Sequence, residues 1–572
     1  MKWFFIYLKP LRSRIAMGTL IKIIGTLAEL MIPFLLSHIL ENVIHTNDVK
    51  QILFYGILMT VCAIIACLGN IIANRMAAKT TMMFSTRMRE DLFSKTLHLS
   101  ARNTDKFTIP SLEARITSDT YNVQNFIGMM QRMGIRAPVL LLGGTIITMI
   151  MDRKLALVMI ATLPLIFIVV YSISRLGVPL YSKVQQSVDG MVRVVREDAQ
   201  GIRVIKALSK IDYENARYDK ANMTLKRNET KAGVILGVVN PIMTLLMNLG
   251  IVAVIAVSAY FVANNTSSVT TVIAFMQYFT LISMAMMSLS RMFVMYTKCA
   301  ASANRISTVM ESVSELQSCE DDNNGDPSLH ISFENVSFSY LGKKNDINDV
   351  SFSLKKGQTL GIIGATGSGK STLLRLLMRS YDVNSGVIRI NGKDVRSYTS
   401  EELTSMFGVV FQNDFVYAGS IEENIRFGRD ISHEDIIAAA KTAQAHDYIS
   451  SFSDGYAHSV STGGTNLSGG QRQRLLISRA IAAKPEILIL DDSSSALDYK
   501  TDANLRRALS SALPNSTVVT VAQRVSSVKN CDLILVIENG SIIGAGKHEE
   551  LMKNCEQYKE ISDSQMGGAF LE

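Results

Sequence analysis

One glycine-rich segment of this chain has the residue types and spacing that hold phosphate. Gly364-Ala365-Thr366-Gly367-Ser368-Gly369-Lys370-Ser371 matches the pattern G-x-x-x-x-G-K-[ST] in full, and Thr372 follows it. An apolar strand precedes the segment and a leucine-rich helix follows, so backbone N–H groups converge on an anion at a helix N-terminus. We expect Lys370 to reach the β- and γ-phosphates of ATP, and Ser371 to ligate Mg²⁺.

A second candidate metal ligand ends an apolar strand further along the chain. The strand is Ile487-Leu488-Ile489-Leu490, and Asp491 comes directly after it. In ATPases with this kind of phosphate loop, an aspartate in that position holds the Mg²⁺ shell. The sequence therefore predicts an ATP site in the second half of the chain.

The composition indicates that the first half lies in a membrane. The chain has 572 residues, and only 19% of them are charged, against about 25% in soluble domains. No charged side chain occurs between Ala232 and Ser290, a stretch long enough for two membrane spans. The net charge of +8 fits lysines and arginines in cytoplasmic loops, and no basic stripe with interleaved aromatic residues indicates a nucleic-acid partner.

Six apolar segments predict six spans through the lipid bilayer. An excess of Lys and Arg before the first span places the N-terminus in the cytoplasm, and six crossings return the chain there. We therefore expect a multi-pass protein of the plasma (inner) membrane with a cytoplasmic ATPase domain. The predicted spans are 15–40, 51–74, 137–151, 155–174 and a fifth and sixth within 232–290, separated by the polar cluster 264–268.

The predicted inner loops are long, and the outer loops are short. The inner loops, 75–136 and 175–231, are rich in helix formers, so we expect the spans to continue as helices out of the membrane. Proline and glycine predict the tips of these loops near Ile109–Glu113 and Gln200–Arg203, which are natural places to touch the ATPase.

The second half has the alternating pattern of an α/β domain with a largely parallel core sheet. Strands are predicted at 331–340, 359–363, 387–390, 408–411, 487–490, 518–521 and 533–537. We expect a transmembrane domain over residues 1–315, a linker over 316–328 and an ATP-binding domain with a helical subdomain over 329–572.

A signature segment makes the resemblance specific. Leu467-Ser468-Gly469-Gly470-Gln471 is the signature sequence of ATP-binding cassette (ABC) proteins, and six spans precede one cassette. Nearly the whole chain therefore resembles a half-transporter of the ABC exporter family. The family's other motifs follow in order: Tyr340 matches the aromatic residue that stacks on adenine, and Gln412 matches the glutamine that senses Mg²⁺ and the attacking water.

The resemblance implies a head-to-tail dimer of cassettes with two ATP sites at the interface. Each site takes its phosphate loop from one cassette and its signature loop, here Ser468, Gly469, Gly470 and Gln471, from the other. Asp498, in Ser495-Ala496-Leu497-Asp498, matches the loop that contacts the opposite cassette. The two inner tips would act as coupling helices, one of which usually reaches the partner's cassette.

Three departures from the family pattern concern catalysis. Asp492 stands where the family has the glutamate general base, and its carboxylate is retracted by about 1.5 Å. Gln523 stands in place of the switch histidine and cannot carry a proton or a positive charge. Ser461-Thr462 replaces the Gly-Glu that usually precedes the signature, which puts one contact to the coupling helices in doubt.

These departures predict a degenerate site in a heterodimer. Such a site binds ATP and turns over slowly, while the intact signature completes the competent site of a non-identical half-transporter. We expect outward transport of hydrophobic or amphipathic compounds. Two alternatives stay open, which are a homodimeric exporter with slow hydrolysis and an ATP-gated regulatory subunit.

Two features of the predicted spans bear on the substrate. Glu29 lies near the middle of the first span, where a carboxylate is costly and marks a functional candidate. It could recognise a cationic substrate, or it could pair with Lys22 or a polar neighbour. The methionines of the fifth and sixth spans suit a promiscuous apolar cavity, but they are equally ordinary filler.

Overall fold

The computed structural model describes residues 2–46, 48–263, 269–320, 325–342, 344–493 and 495–567. The chain forms two compact units. The first comprises Met1–His98 and Phe107–Ser312, and the second comprises Leu99–Lys106 and Val313–Glu572. The second unit thus includes a short piece of chain from within the first predicted inner loop.

The first unit is helical throughout its described residues. Its longest helices match the predicted continuation of spans into long extensions. Its helices, together with one short helix of the second unit (α4), are α1 (Lys2–Leu8), α2 (Arg12–His38), α3 (Val49–Leu97), α4 (Ala101–Phe107), α5 (Ile109–Ala114), α6 (Thr120–Met129), α7 (Ile135–Met151), α8 (Arg153–Ala207), α9 (Ile211–Gly237), α10 (Val239–Ala263) and α11 (Val269–Met310).

Five helical stretches among the described residues are long and apolar enough to cross a membrane. They are Phe4–Thr46, Val49–Leu97, Ile109–Met151, Pro241–Phe261 and Thr270–Leu289, and they contain the first, second, third, fifth and sixth predicted spans. The fourth predicted span lies within α8, where several side chains are outside the described residues. The predicted loop 264–268 is also outside them.

The first predicted loop tip falls beside a break between two helices, and the second is wrong in position. The segment Ile109–Glu113 begins α5, with Pro110 in its first turn. The break lies directly before it, at Thr108 with a φ of 61°, and the chain also turns before α4. Gln200–Arg203 lies inside α8, which continues to Ala207, since a single glycine costs a helix only about 1 kcal/mol. The second turn falls between α8 and α9.

Close packing of α2 and α3 depends on two glycines. A Cβ atom on Gly69 would lie 3.1 Å from the Gly25 Cα atom, so only small residues allow this approach. Further along α2, the hydroxyl of buried Tyr278 in α11 donates to the Leu30 carbonyl at 2.6 Å. These contacts fix α2 between α3 and α11.

The second unit is an α/β domain with three sheets. Its strands are β1 (Ile331–Phe338), β2 (Ile347–Leu354), β3 (Thr359–Ile363), β4 (Ser385–Ile390), β5 (Lys393–Asp394), β6 (Phe407–Val410), β7 (Gly419–Ser420), β8 (Ser459–Val460), β9 (Ile487–Asp491), β10 (Thr517–Val521), β11 (Leu533–Glu538) and β12 (Ser541–Gly546). The six-stranded core sheet has the order β12-β11-β3-β10-β9-β6, and all its neighbouring strands are parallel except β11 and β12.

The predicted parallel core sheet and all seven predicted strands are confirmed. The sequence reading missed the antiparallel sheet β2-β1-β4-β5, of which it found only β1 and β4, and it missed β12. The helices of this unit after α4 are α12 (Lys370–Leu377), α13 (Ser400–Ser405), α14 (Ile421–Arg426), α15 (His433–Thr442), α16 (His446–Ser450), α17 (Gly469–Ile481), α18 (Tyr499–Ala512), α19 (Val525–Val528), α20 (His548–Asn554) and α21 (Glu556–Gly567).

Candidate functional site

The phosphate loop joins the buried strand β3 to the N-terminus of α12. Two of its glycines are required by their surroundings. A Cβ atom on Gly364 would lie 2.1 Å from the Ile537 carbonyl oxygen, and Gly369 has a φ of 107°, which favours glycine. Buried Ser368 accepts a hydrogen bond on its carbonyl from the Gly540 N–H at 3.0 Å. The loop is therefore held against the turn that contains Gly540.

Lys370 folds back on its own loop. Its ammonium donates to the carbonyl oxygens of Gly364 at 2.9 Å and Ala365 at 2.7 Å. Burial lowers the pKa of Lys370, and the nearby carboxylates of Asp491 and Asp492 oppose that shift. This ammonium is placed to neutralise a phosphate at the loop.

A cavity of about 280 Å³ lies over the loop and brings most of the predicted site residues together. It is lined by Thr366, Gly367, Gly369, Lys370, Ser371, Thr372, Gln412, Asp491, Asp492 and Gln523, together with Lys344, Asn345, Asp346, Val521, Asn539 and Gly540. Its polar lining suits a phosphorylated ligand.

The donor atoms predicted to hold Mg²⁺ fit that ion. The Ser371 hydroxyl donates to the Asp491 carboxylate at 3.0 Å, and Gln412 lines the same cavity. Hydroxyl, carboxylate and amide oxygens are hard ligands of the kind Mg²⁺ takes beside phosphates. Burial raises the pKa of Asp491, opposed by the hydrogen bond from Ser371 and by the charge of Lys370.

Asp492 and Gln523 contact each other. Gln523 Nε2 donates to Asp492 Oδ2 at 3.0 Å. The contact follows from the core sheet, because β9 and β10 are parallel neighbours in which Val521 pairs with Asp491. Burial, followed by the charge of Asp491, raises the pKa of Asp492, while Lys370, Arg524 and the bond from Gln523 lower it. Asp492 and Gln523 thus form a single hydrogen-bonded unit at the cavity wall.

Sequence reasoning missed one wall of this cavity, formed by residues 344–346 and 539–540. The signal was present, because Asn539-Gly540 is a dipeptide typical of a tight hairpin turn, here between β11 and β12. A Cβ atom on Gly540 would lie 2.5 Å from the Asp346 carbonyl oxygen. The hairpin therefore packs directly against the segment that follows Tyr340.

Tyr340 lies beside the cavity. Its hydroxyl approaches the Thr372 hydroxyl at 3.4 Å, and its backbone N–H donates to Asp346 at 2.9 Å. Its ring packs edge-on against the ring of Tyr381, with centroids 5.1 Å apart. An aromatic ring in this place can stack on a base whose phosphates sit in the loop.

A chain of contacts leads from Tyr340 to α4. The Tyr381 hydroxyl donates to the Asp105 carboxylate at 2.5 Å. Burial and then this carboxylate raise the pKa of Tyr381. A second cavity, of about 420 Å³, lies between α4 and α12 and shares Ser371, Gln412 and Asp491 with the first. The short helix α4 thus packs as part of the second unit, although it lies within the first predicted inner loop.

The signature residues form a separate group. Ser468 caps α17, accepting from the Gln471 N–H at 3.3 Å while its own N–H donates to Gln471 Oε1 at 2.9 Å. A Cβ atom on Gly470 would lie 3.3 Å from the Ala496 carbonyl oxygen, and Asp498 caps α18 through Thr501. Among the described residues that line the ATP-site cavity, none belongs to this group. The glycine N–H groups at the start of α17 are suited to an anion.

Glu29 pairs with a residue that sequence reasoning did not consider. Its carboxylate accepts from Arg136 at 2.6 Å, whereas Lys22 donates to the side-chain oxygens of Asn70 at 2.7 Å and Asn74 at 3.1 Å. The prediction that Glu29 pairs with Lys22 is therefore wrong. The contact uses Glu29 Oε1, and Glu29 Oε2 is buried without a hydrogen-bond partner among the described residues.

Comparisons with known proteins agree with both units. Residues 15–286 match the family model described as the ABC transporter transmembrane region, and residues 347–495 match the ABC transporter model. The chain is 33% identical over 564 residues to an uncharacterized ABC transporter ATP-binding protein, YfiB of Bacillus subtilis (strain 168), with 98% of each chain covered.

Two further comparisons extend this similarity. An uncharacterized ABC transporter ATP-binding protein of Mycobacterium tuberculosis (strain CDC 1551 / Oshkosh), MT1311, is 30% identical over 568 residues, covering 98% of this chain and 97% of the relative. The structure of a bacterial Atm1-family ABC exporter with ATP bound superposes with a TM-score of 0.82 at 22% identity, covering 96% of this chain and 98% of that one. At that identity the last comparison bears on the fold alone.

Proposed function

The chain belongs to the ABC transporter family, as an exporter half with a helical transmembrane region fused to its ATPase domain, and from this premise we propose that it is the degenerate subunit of a heterodimer. Its own site binds Mg²⁺-ATP and hydrolyses it slowly. Its signature loop completes the competent site of a non-identical partner. The pair moves hydrophobic or amphipathic compounds out of the cell across the plasma (inner) membrane, with the N-terminus and the ATPase domain in the cytoplasm.

The hydrogen bond from Gln523 to Asp492 carries this proposal. A general base must come within hydrogen-bond reach of its water, and aspartate is shorter than glutamate by about 1.5 Å. Here one of its oxygens is already engaged by an amide that can neither take up nor release a proton. The arrangement of Asp492 and Gln523 therefore favours binding of ATP over activation of the attacking water.

The intact residues support binding and a role in the other site. Lys370, Ser371 and Asp491 provide the charge and the oxygen ligands that Mg²⁺-ATP needs, and Tyr340 offers its ring to adenine. When bound, Mg²⁺ neutralises phosphate charge. Gly469 and Gly470 begin a 13-residue helix that Ser468 caps, and this helix can present its N–H groups to a phosphate held by a partner.

We expect two features in the sequence of the partner. The partner supplies the glutamate and the histidine of the competent site, and its own signature loop is the altered one. A partner with an intact LSGGQ and a second degenerate strand end would contradict the proposal. The alternatives are a homodimer in which Asp492 works slowly as the base, and an ATP-gated regulatory subunit.

Turnover of ATP tests the proposal. We expect the purified chain alone to be nearly inactive and the pair to be fast. In the pair, Asp492→Asn is nearly harmless, whereas Gly470→Asp, which places a negative charge at the N-terminus of α17, abolishes turnover. Fast turnover of the chain alone that is lost in Asp492→Asn would instead establish a homodimeric pump.

A further inference from the structure

An excess of positive charge lies between α2, α3 and the start of α7. Lys22 of α2 donates to two asparagines of α3, Arg136 of α7 pairs with Glu29 of α2, and Arg132 lies four residues before Arg136. Three cations and one carboxylate therefore share this place. We call Lys22, Arg132 and Arg136 the cationic cluster. Lys22 is only 4% exposed, and Arg136 is half-buried. Ionisable side chains within a membrane-spanning unit are energetically costly, so they are candidates for a functional role.

The partners of these cations leave the excess uncompensated. Glu29 neutralises Arg136 at 2.6 Å. Lys22 has only the neutral amide oxygens of Asn70 and Asn74, and Arg132 Nε donates to the Gly128 carbonyl at 3.1 Å. Among the described residues, no carboxylate is paired with Lys22 or Arg132. Two positive charges therefore stay without a counter-charge.

Near the cationic cluster, two buried polar atoms have no hydrogen-bond partner, and two apolar side chains are exposed. Arg136 Nε and Gln131 Nε2 are buried, and neither has a hydrogen-bond partner in the described part of the chain. Arg132 itself is exposed on a π-helical segment, Met130–Gly134, between α6 and α7. π-Helical turns occur often at functional sites. The exposed thioethers of Met130 and Met133 flank Arg132 and offer adaptable apolar contacts.

We propose that the cationic cluster binds the acidic group of an amphipathic substrate, with the exposed Arg132 meeting that group and the buried Lys22 adding to the positive potential. The inference rests on the proposed export function and names the class of its substrate, which is a hydrophobic compound with a carboxylate, sulfonate or phosphate. An anion bound here supplies the missing counter-charge. A cationic substrate would meet net repulsion, because three cations outnumber the one carboxylate, Glu29.

A matched pair of fluorescent probes separates charge from hydrophobicity. 8-Anilinonaphthalene-1-sulfonate and N-phenyl-1-naphthylamine share the same aromatic skeleton, and only the first has a sulfonate. Binding of each is measured to the assembled transporter in nanodiscs of zwitterionic lipid without nucleotide, with empty nanodiscs as background. We expect the sulfonate to bind at least about tenfold more tightly than the neutral probe, since charge-assisted hydrogen bonds are the strong ones.

Two variants and one control localise the effect. Lys22→Met and Arg132→Gln are each expected to weaken sulfonate binding about tenfold and to leave the neutral probe unchanged. Arg132 is exposed, so its variant keeps the test valid even where Lys22→Met fails to fold. Lys50→Met removes an exposed lysine at the start of α3, outside the cluster, and should change neither probe.

Equal binding of the two probes, or a sulfonate preference that survives both variants, overturns the inference. Equal binding would mean that the partner subunit supplies the counter-charge. ATP-driven movement of the neutral probe into inverted vesicles tests the export function separately. Export of that probe without any sulfonate preference would leave the proposed function standing and remove only the anionic substrate class.

Discussion

Gln523 and Asp492 form a hydrogen bond of 3.0 Å at the wall of the ATP-site cavity. The resemblance to ABC exporters predicts a different catalytic residue at each position. Their contact means that a change at one alters the position of the other. Asp492 and Gln523 therefore behave as one structural unit.

Restoring both family residues should activate the chain's own site. We expect Asp492→Glu together with Gln523→His to raise turnover at this site by roughly 10² or more, the range that a positioned general base contributes. Asp492→Glu alone should gain less, because Gln523 still engages the carboxylate. Phosphate release is measured with the partner's site disabled. Asp492→Asn with Gln523→His is the control, and an equal gain in that variant would contradict the assignment.

The turn at Gly540 should be more sensitive to substitution than an open turn of similar backbone conformation. Gly540 has a φ of 79° and Gly342 a φ of 69°, but only at Gly540 would a Cβ atom meet the Asp346 carbonyl. We expect Gly342→Ala to cost about 1–2 kcal/mol of backbone strain. Gly540→Ala should cost about 1–3 kcal/mol more and should weaken nucleotide binding.

Thermal unfolding with and without ATP compares these two alanine variants. Because Asp346 and Gly540 both line the ATP-site cavity, the stabilisation by ATP should shrink in Gly540→Ala and persist in Gly342→Ala. Equal effects of the two substitutions would show that the hairpin turn does not shape the site.

The contact between Tyr381 and Asp105 should couple α4 to the nucleotide site. Tyr381→Phe and Asp105→Ala each remove the 2.5 Å hydrogen bond to a charged group, and a double-mutant cycle should give a coupling energy of about 1.5–3 kcal/mol. We also expect stimulation of ATP turnover by transported compounds to fall in both variants, while ATP binding stays close to wild type.

Tyr398→Phe is the matched control for that experiment. Its hydroxyl donates to the Ile390 carbonyl at 2.9 Å, and it is not a lining residue of the cavity beside α4. Loss of stimulation in Tyr398→Phe, or full stimulation in Tyr381→Phe, would argue against transmission through Asp105.

The ion pair of Glu29 and Arg136 should stabilise the helical unit. Glu29→Gln and Arg136→Gln each leave a partly buried charge without its partner, which costs about 1–3 kcal/mol. The double variant should be more stable than the sum of the two single losses predicts. Melting temperatures in detergent measure this, with exposed Glu41→Gln as control. Additive losses of stability in the two single variants would mean that the ion pair contributes no coupling energy.

Features whose residues are contiguous in the chain could be predicted from the amino-acid sequence. The phosphate loop at 364–371, the strand that ends in Asp491 and the signature at 467–471 act through neighbouring backbone groups, so their order and spacing suffice. The apolar segments likewise indicate spans, because a bilayer of about 30 Å requires roughly 20 apolar residues in succession. The seven predicted strands follow from the same kind of local pattern.

Contacts between residues that are distant in the chain depend on the fold and could not be predicted from the sequence. Gln523 reaches Asp492 because β9 and β10 are parallel neighbours, and no local sequence pattern predicts the pairing of these two strands. Glu29 pairs with Arg136 instead of Lys22, because the partner is set by how the helices pack and not by spacing along one helix. The second loop tip was misplaced for a related reason. One glycine in a long helix costs little, so packing determines where such a helix ends.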